Sequence, residues 1–482
     1  MTELPMDFVD LNQHRLTKIV CTLGPACFGP EKILELAKCG MDVARLNVSH
    51  GGREEHIQVL KDIDEINEKN DLCIAALIDT RGAEIRTGDV QDPIVITKGV
   101  EVIFAPTTLE GKLKYDKQII FVGYDGFSSD VGETDKILID NGEISFKIVS
   151  INEDGSVLGK ADQDGSVGSR RHINLPGADI DLPSITDKDW DDIRYAAENN
   201  IDYVALSFIR NAEEVNQVRA VIDKANSTTQ IITKIETQKA VKNLKEIVEA
   251  SDGIMVARGD LGAEVPFEHL PVIQNEIIWR CRDAGKPVIV ATHMLESMKE
   301  HPIPTRAEVT DVAYAAMERT DSTMLSGETA SGKHPPVAVS AMDRILRATE
   351  TQLSRFPLEE AAVRDDADAK AQSAVNLAKS SHAKAILVFT RQGFSARRVS
   401  KFRPYVPIVA LCEDLSVLRK LKLVYGVMPI KIKLGDIEET VHEGMKKAKD
   451  AGILQKGDNI IVISDTRTKG EAVTSIQMRT IE

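Results

Sequence analysis

The chain alternates short apolar, β-branched runs with segments whose apolar residues recur at helical spacing. The clearest unit covers residues 229–266, where one apolar run ends in Lys234 and Glu236 and a second ends in Asp260. A helical pattern over 240–250 lies between the two runs. Strand, helix, strand is the unit that places two parallel strands side by side. The pattern therefore predicts two parallel strands whose charged ends lie together.

Eight strands of this kind are predicted before residue 330, with helices between them. Their approximate ranges are 16–22, 42–46, 73–78, 203–207, two within 229–266, 287–291 and 322–325. Eight βα units over this length predict an α/β fold of the (β/α)₈ TIM barrel class. A doubly wound sheet is the alternative, but no feature of the sequence indicates the reversal of strand order that it requires.

The alternation is interrupted once, and it changes again after the barrel. Residues 87–175 contain turn pairs such as Asp125-Gly126 and no long helical pattern, which predicts an inserted all-β domain of barrel type. The barrel is expected over 15–86 and 176–350, after an N-terminal arm at 1–14. Residues 351–482 begin with an acidic linker and continue with alternating strands and helices, which predicts a C-terminal α/β domain.

Composition and charge exclude several classes of partner. The formal net charge of −15 argues against duplex nucleic acid, although a local basic cluster could still bind a phosphorylated small molecule. The six cysteines show neither a Cys-x-x-Cys pair nor zinc-type spacing, which is typical of reduced thiols. No signal sequence and no bilayer-spanning apolar run is recognisable. We therefore expect a cytoplasmic protein that binds no membrane.

Polar side chains follow seven of the eight predicted strands. They are Arg45, Asn47, Ser49, Asp79, Thr80, Arg86, Ser207, Lys234, Glu236, Asp260, Thr292, Ser326 and Glu328. The carboxyl ends of parallel barrel strands meet at one mouth, so these groups should converge. Carboxylates suit Mg²⁺, which takes one or two of them together with substrate phosphate. The set predicts metal-assisted phosphoryl transfer, whereas ordinary loop polarity or an ion pair between Lys234 and Glu236 is the simpler explanation of each residue alone.

Two glycine-rich segments allow two interpretations each. A short helix beginning at Gly259 would direct backbone N–H groups at the mouth and bind carboxylate or phosphate, but a plain glycine turn is the alternative. Residues 327–333 match a phosphate-binding P-loop except that His334 stands where Ser or Thr should hold Mg²⁺. Because Pro335 and Pro336 follow, we expect a barrel loop with no helix starting directly on it.

Nine segments of the barrel region resemble the pyruvate kinase family. In chain order they are TKIVCTLGPA, MDVARLNVSHG, LIDTRGAEIRTG, INLPGADIDLPSIT, ITKIET, GIMVARGDLGAEVP, ATHMLESM, PTRAEVTDVA and MLSGETASGKHP. The C-terminal SARRVSKFRPYVPIVAL is also similar. The resemblance covers residues 17–336 in the family's order. It implies transfer of the phosphoryl group of phosphoenolpyruvate to ADP, which gives pyruvate and ATP in the last step of glycolysis.

The resemblance also implies metal sites. Glu236 and Asp260 would hold Mg²⁺ (or Mn²⁺), and Lys234 would neutralise first the phosphoryl group in flight and then the enolate. A K⁺ ion would be bound by Asn47, Ser49, Asp79 and Thr80. Glu84 stands where K⁺-dependent members of the family have Glu, so we expect K⁺ dependence.

Substrate and nucleotide contacts follow from the same motifs. Phosphoenolpyruvate would contact Arg45, Lys234, Gly259, Asp260 and Thr292, with its carboxylate at Thr292 and the two backbone N–H groups. The nucleotide side would include Pro25, Asn47, His50, Arg86 and Arg171. A water relay near Thr292 and Ser326 would protonate the enolate. Together with Lys234 and Arg45, these two residues complete the expected catalytic set.

The resemblance gives each remaining domain a role. The inserted domain would be a lid that closes on nucleotide, and the C-terminal domain would serve effector binding and oligomerisation, usually as a homotetramer. A phosphorylated effector would bind Thr390, Arg391, Gln392, Gly393, Ser395 and Arg467. Gln392 replaces the family's Ser, so a merely solvated basic face is the alternative. His293 and Ala83 also depart from the family pattern, in place of Gln and Pro.

Two rival functions share the barrel. A Mg²⁺-dependent carbon–carbon lyase acting on phosphoenolpyruvate or pyruvate would also place Glu and Asp at barrel strand ends, but it would not need ADP. A catalytically inactive relative would keep the fold alone. The presence of every expected ligand type argues against the inactive relative, and the inserted domain and the spacing of Lys234 and Glu236 argue against the lyase.

Overall fold

In the computed structural model of the chain, the structure describes residues 14–140, 142–178, 180–433, 435, 437–468 and 471–482. Side chains at 133, 437, 465–468 and 471–474 are outside this description. The predicted N-terminal arm at 1–14 therefore lies outside the described residues except for His14.

Eight parallel strands close into a barrel, as the sequence predicts. The first to eighth barrel strands are Lys18–Leu23, Val43–Asn47, Ala75–Asp79, Tyr203–Leu206, Gln230–Ile235, Gly253–Ala257, Val288–Ala291 and Ser322–Leu325. The first strand pairs in parallel with both the second and the eighth, which closes the sheet. The carboxyl ends of all eight strands consequently share one mouth.

Helices surround the barrel. They are Pro30–Cys39, Arg53–Asn70, Asp187–Glu198, Ala212–Lys224, Gln238–Lys242, Leu244–Ala250, Arg258–Glu264, Leu270–Ala284, Arg306–Met317, Gly327–Ala330 and Pro335–Glu350. Three-residue and four-residue 3₁₀ turns occur at Phe267–His269, Glu296–Lys299 and Leu353–Arg355. Capping boxes at Thr186 and Thr305 fix the start of two of the helices, because each threonine side chain and the third helical residue satisfy one another's backbone N–H groups.

Two helix predictions need correction. The helix expected over 240–250 is divided at Asn243, whose side chain donates to the carbonyl oxygen of Arg210 at 2.9 Å. The expectation that no helix starts on the loop at 327–333 is wrong, since a helix of 16 residues begins at Pro335. Proline suits the first helical turn because its φ is already fixed and the missing N–H has no partner there.

The inserted domain is a mostly antiparallel β structure. Its strands are Ile85–Arg86, Ile94–Ile96, Glu101–Pro106, Ile119–Val122, Lys136–Ile139, Ile144–Ile151, Val157–Ala161, Gly165–Val167 and His172–Asn174. Seven of them form one sheet and two form a separate pair. The edges of the large sheet meet, because Gly88 N–H donates to Phe121 O at 2.7 Å and Gly123 N–H to Arg86 O at 2.8 Å. Its short helical turns are Thr107–Leu109, Phe127–Asp130 and Val131–Glu133.

The C-terminal domain is a five-stranded sheet with helices. Its strands are Ala385–Phe389, Ile408–Cys412, Val427–Lys431, Asn459–Thr468 and Glu471–Thr480. Its helices are Asp366–Ser380, Phe394–Lys401, Leu415–Leu421 and Ile437–Asp450. The first four strands are parallel and the last is antiparallel, which confirms the α/β domain and its final strand.

The C-terminal domain closes the floor of the barrel. Leu423 is fully buried in the cluster of inward-facing barrel residues that includes Tyr203, Met255 and Met324. Ser322 Oγ donates to the carbonyl oxygen of Leu423 at 3.2 Å. The apolar interior is thus sealed at this end, and polar inward positions occur at the opposite mouth.

Candidate active site

The polar residues of the mouth continue the inward-facing positions of the barrel strands. The apolar interior includes, on the second to fifth strands, Val43, Leu77, Ala205 and Ile232. Because side chains alternate along a strand, the inward position recurs two residues later. Those positions are occupied by Arg45, Asp79, Ser207 and Lys234. The same alternation that builds the core therefore brings charged groups to the open end.

Lys234 is the centre of this cluster. Its Nζ lies 2.8 Å from Glu236 Oε1 and 3.3 Å from Asp79 Oδ1, and it donates to Ser207 Oγ at 2.8 Å. Burial favours the neutral amine, but the charges of Asp79 and Glu236 outweigh burial and raise the pKa of Lys234. The ammonium is therefore retained in a site where only 11% of the side chain is exposed.

Arg45 is held by Asp79 and Thr22. Its Nε lies 2.6 Å from Asp79 Oδ2, and its Nη1 donates to Thr22 Oγ1 at 2.8 Å. Burial raises the pKa of Asp79, but the charges of Arg45 and Lys234 together lower it below its usual value. Asp79 is thus a carboxylate between two cations, and the site has a fixed arrangement of charges.

Two buried carboxylate oxygens lack a well-aligned hydrogen bond. Glu236 Oε2 accepts from Phe208 N–H at 2.6 Å. Glu236 Oε1 and Asp79 Oδ1 accept no aligned hydrogen bond from any described residue, although Lys234 Nζ is within ion-pair distance of both. Burial raises the pKa of Glu236 and also that of Asp260, which a bound cation would oppose.

The carboxylates of Glu236 and Asp260 fit a hard divalent cation that takes few of its ligands from the protein. Within the described ranges there is no group of three or more His, Cys, Asp or Glu side chains that could hold a metal ion. Mg²⁺ commonly uses only one or two protein carboxylates and completes its shell with water and substrate oxygens. Glu236 and Asp260 therefore suit an ion whose remaining ligands come from an anionic substrate.

The ends of the sixth and seventh strands are joined at Thr292. Gly259 N–H donates to Thr292 Oγ1 at 2.8 Å, and that hydroxyl donates to Ala291 O at 2.6 Å. Gly259 lies in the helix Arg258–Glu264, which confirms the short helix and excludes the plain turn. The N–H of Gly259 is not free, however, because Thr292 Oγ1 already accepts from it.

Arg258 fixes the backbone that carries Thr292. Both of its terminal nitrogens lie 2.7 Å from the carboxylate oxygens of Asp311, and its Nε donates to Thr292 O at 3.2 Å. Thr292 and His293 have φ values of +66° and +55°, in the left-handed region that β-branched residues avoid. A strained backbone of this kind persists only where surrounding contacts hold it.

The four residues expected to bind K⁺ come together. Asn47 and Asp79 are paired in register on adjacent strands. Asn47 Oδ1 accepts from Ser49 N–H at 3.1 Å, and Thr80 Oγ1 accepts from Ser207 N–H at 3.2 Å. The group thus offers several oxygen atoms at the ends of the second and third strands.

Residues expected on the nucleotide side lie at the rim. Pro25 and His50 are exposed. Arg86 Nε donates to Glu84 at 2.7 Å, and its Nη1 donates to Arg170 O at 2.8 Å. Arg171 is 3.3 Å from Asp140, with 52% of its side chain exposed. These contacts place Arg86 and Arg171 where the inserted domain joins the barrel.

Ser326 and three residues that sequence reasoning missed complete the site. Ser326 N–H donates to Glu328 Oε2 at 2.8 Å, and its buried Oγ has no partner among the described residues. Thr22 and Phe208 position Arg45 and Glu236, as given above. His172 Nδ1 lies 3.7 Å from Asp260 Oδ1. The inward alternation two residues after Val20 could have identified Thr22, whereas nothing in the sequence singles out Phe208 or His172.

Of the predicted effector residues, Thr390 to Gly393 form one loop of the C-terminal domain, Ser395 follows in a helix and Arg467 lies on the strand Asn459–Thr468. Thr390 is buried, Arg391 and Gln392 are exposed, Gly393 has a φ of +79°, and Ser395 lies in the helix that follows. The side chain of Arg467 lies outside the described residues.

In the ranges that the structure describes, no helix is long and apolar enough to cross a membrane.

Comparisons with known proteins agree along nearly the whole chain. Two family models match, the pyruvate kinase barrel domain over residues 14–339 and the pyruvate kinase alpha/beta domain over 368–476. Plastidial pyruvate kinase 3, chloroplastic, of Arabidopsis thaliana is 40% identical over 484 residues, covering 98% of this chain and 83% of the relative. The pyruvate kinase of Bacillus licheniformis is 40% identical over 473 residues, covering 96% and 80%. The crystal structure of a pyruvate kinase from Cryptosporidium parvum, 35% identical, superposes with a TM-score of 0.87 over 96% of each chain.

Proposed function

The chain belongs to the pyruvate kinase family, and we propose that the barrel mouth transfers the phosphoryl group of phosphoenolpyruvate to ADP with the residues described above. The observation that carries this assignment is the buried ammonium of Lys234 between Asp79 and Glu236. A trianionic substrate needs fixed positive charge in a site that excludes water, where electrostatic stabilisation is strongest.

Lys234 acts on the charge that moves during the reaction. The bond between phosphorus and the enol oxygen of phosphoenolpyruvate breaks as a terminal oxygen of ADP bonds to phosphorus. The ammonium first faces the phosphoryl group and then the enolate left behind. When bound at Glu236 and Asp260, Mg²⁺ supplies further neutralisation of the phosphoryl oxygens. Protonation of the enolate carbon by a water near Thr292 and Ser326 completes pyruvate.

Arg45 and Thr292 hold the substrate at its two ends. The guanidinium of Arg45 binds phosphate oxygens through N–H groups that its contacts with Asp79 and Thr22 leave available. The backbone N–H of Asp260 receives the substrate carboxylate, and the Gly259 N–H and the Thr292 hydroxyl join it by exchanging their present bonds, to Thr292 Oγ1 and to Ala291 O, for bonds to the carboxylate. Holding the substrate at both ends aligns it for reaction with ADP, so the entropy cost of alignment is met on binding rather than in the chemical step.

Asn47, Ser49, Asp79 and Thr80 would hold K⁺ through their oxygen atoms in this proposal. Glu84, paired with Arg86 in the structure, marks the dependence on the ion. The nucleotide enters from the side of Pro25 and His50, and the inserted domain closes over it with Arg86 and Arg171. Closure of such a domain excludes water from the reacting groups.

The same proposal covers the effector, the oligomeric state and the cellular compartment of the enzyme. The loop at 390–395, together with Arg467, receives a phosphorylated effector, and the protein assembles as a homotetramer. We place the enzyme in the cytoplasm. Among the relatives, some carry the word chloroplastic in their names, so localisation of the tagged protein in its own cells is the direct test.

Pyruvate formation from phosphoenolpyruvate tests the assignment. We expect activity that requires ADP and Mg²⁺ and rises with K⁺, measured in parallel reactions that each omit one component. Release of pyruvate without ADP would indicate a lyase or a phosphatase instead. Folded protein that stays inactive with every component and with phosphorylated effectors present would indicate a regulatory relative.

A further inference from the structure

A cavity of about 190 Å³ lies between the barrel and the C-terminal domain, outside the site described above. The barrel contributes Arg282, from the helix Leu270–Ala284, and Arg319, which precedes the eighth strand. The C-terminal domain contributes Lys379, Lys401, Arg403 and Tyr405. Five of these six side chains are cations and the lining also contains two carboxylates, Glu359 and Glu360, so the lining has a net positive charge in a protein of net charge −15.

Two of the cations are neutralised by carboxylates behind the cavity wall. Lys401 Nζ lies 2.6 Å from Asp368 Oδ2, and Arg403 Nη2 lies 2.5 Å from Asp321 Oδ2. All four of these side chains are at most 3% exposed. These pairs are therefore structural and hold the wall together.

Arg282 and Arg319 differ from Lys401 and Arg403 in the groups that they contact. They are 2% and 1% exposed, and neither forms an ion pair with a carboxylate of the described residues. Arg319 Nη2 donates to Leu353 O and to Phe356 O, and Arg282 Nη2 donates to Glu359 O. The Nε of each has no acceptor in the described part of the chain.

Buried guanidinium groups with unused donors are costly. Each carries five N–H donors, and burying a charge without a partner opposes folding. Burial, and then the like charge of Arg403, lowers the pKa of Arg282 to about 10, which still leaves it protonated at neutral pH. The donors at this junction thus exceed the acceptors that the described protein atoms provide.

We propose that this cavity binds a small oxyanion, the phosphate group of inorganic phosphate or of a small phosphomonoester. Guanidinium groups match phosphate oxygens in pairs, and the ring of Tyr405 fixes one of them, since Arg319 stacks over it at 5.0 Å. Lys379 adds a cation near the opening, 6.0 Å from the same ring. The acidic residues of the lining, Glu359 and Glu360, are exposed, and the charge of Glu359 offsets only part of the effect that burial and Arg403 have on the pKa of Arg282.

The volume limits the ligand. Sites for drug-sized molecules are typically about 300–1,000 Å³, so about 190 Å³ suits a phosphate with few additional atoms. Bound phosphate would connect Arg282 and Arg319 of the barrel with Lys379 of the C-terminal domain. It would thereby stabilise the junction, independently of the loop at 390–395 and of the proposed catalytic reaction.

Calorimetric titration of the full-length protein tests the site, first with inorganic phosphate and then with glycerol 3-phosphate. The variants are Arg282→Gln and Lys379→Gln, and the matched control is Lys384→Gln, which removes an exposed lysine outside the cavity lining. We expect Arg282→Gln to weaken one class of phosphate sites by about tenfold or more, because one charged hydrogen-bonding group is lost. Lys379→Gln should weaken it by about threefold, as expected for a partly screened charge.

Binding by the active site or the effector loop is unaffected by these variants and cancels in the comparison. Equal phosphate affinity and stoichiometry in wild type, Arg282→Gln and Lys379→Gln would overturn the proposal. Circular dichroism checks the fold, and if Arg282→Gln does not fold, Lys379→Gln decides by the same criterion. Binding of both probes identifies a phosphomonoester site, and binding of inorganic phosphate alone identifies a site for the free ion.

Discussion

Lys234 Nζ lies 2.8 Å from Glu236 Oε1, so a cation and a carboxylate two residues apart meet at the inward side of the same strand end. Their side chains are 11% and 1% exposed. The pair lies beside Asp79 and Asp260, whose charges act on Lys234 as well. Lys234 therefore offsets the repulsion of several carboxylates and also faces the space where substrate charge would develop.

Replacing Lys234 by methionine should lower turnover by about a thousandfold, because the charge acts mainly on the transition state. The methionine side chain keeps much of the volume, so the fold should persist. Steady-state kinetics with phosphoenolpyruvate and ADP measures the effect. Lys245→Met, at an exposed position, is the control and should keep wild-type turnover. Unchanged turnover in Lys234→Met would remove the assigned role.

Thr292→Val should raise KM for phosphoenolpyruvate and lower kcat/KM by about tenfold or more, because it removes the hydroxyl that accepts from Gly259 N–H and that we propose to contact the substrate carboxylate. Valine is β-branched like the native threonine, so the φ of +66° strains both side chains alike and the comparison isolates the hydroxyl. Thr292→Ser keeps the hydroxyl and should retain most of the activity. If the serine variant loses as much activity as the valine variant, the hydroxyl is not responsible for the loss.

Glu84→Lys should reduce the K⁺ requirement, because an ammonium would then supply positive charge to the site, where Glu84 and Asp79 both act on Asp260. The same change breaks the pair between Glu84 and Arg86. Glu84→Gln breaks that pair without adding a cation and is therefore the control. The measurement is initial rate against K⁺ concentration at constant ionic strength. A K⁺ response in Glu84→Lys equal to that of wild type would contradict the prediction.

Asp42 should stabilise the protein above pH 4 and lose this effect in acid. Burial alone would raise its pKa, but the charges of Arg15, Lys18 and Lys422 lower the pKa to about 2. A carboxyl group with a lowered folded-state pKa stabilises fully above its unfolded value of about 4, and the effect disappears as pH falls through the folded value. The expected contribution at neutral pH is about 2 kcal/mol, about half of which is lost by pH 3.

Urea unfolding of wild type and Asp42→Asn measures this contribution. The difference between their midpoints should be largest at pH 6 and should decrease from pH 4 to pH 3. Asp191→Asn, which alters an exposed pair with Arg194, should have an effect close to zero at each pH. A difference for Asp42→Asn that grows as pH falls would show that the sign is wrong.

The sequence predicts the barrel well because its signal is local. Apolar β-branched runs identify the strands, and polar residues after them identify the mouth. Contacts between strands were not predictable in the same way, since the ion pair of Arg45 with Asp79 and the bond from Phe208 to Glu236 depend on register and side-chain direction. The helix at Pro335 was missed because proline was interpreted as a helix breaker rather than as a first-turn residue.

The basic junction was equally hidden in the sequence. Arg282 and Arg319 have the appearance of ordinary surface arginines next to barrel helices, but in the structure both are buried, and Lys379, Arg403 and Tyr405 of the C-terminal domain line the same cavity. Such residues are recognised only in the structure, which shows which hydrogen-bond donors of a buried side chain lack an acceptor.

The position of Leu423 has an evolutionary consequence. Leu423 of the last domain completes the interior of the barrel. The part of the gene that encodes the barrel therefore does not encode the complete barrel core. Recombination that exchanged the last domain would have to preserve a leucine-sized plug and the adjoining backbone carbonyl that Ser322 uses. The two domains are therefore expected to be inherited together, and chimaeras joined near residue 360 should fold only when both halves come from parents that share this plug.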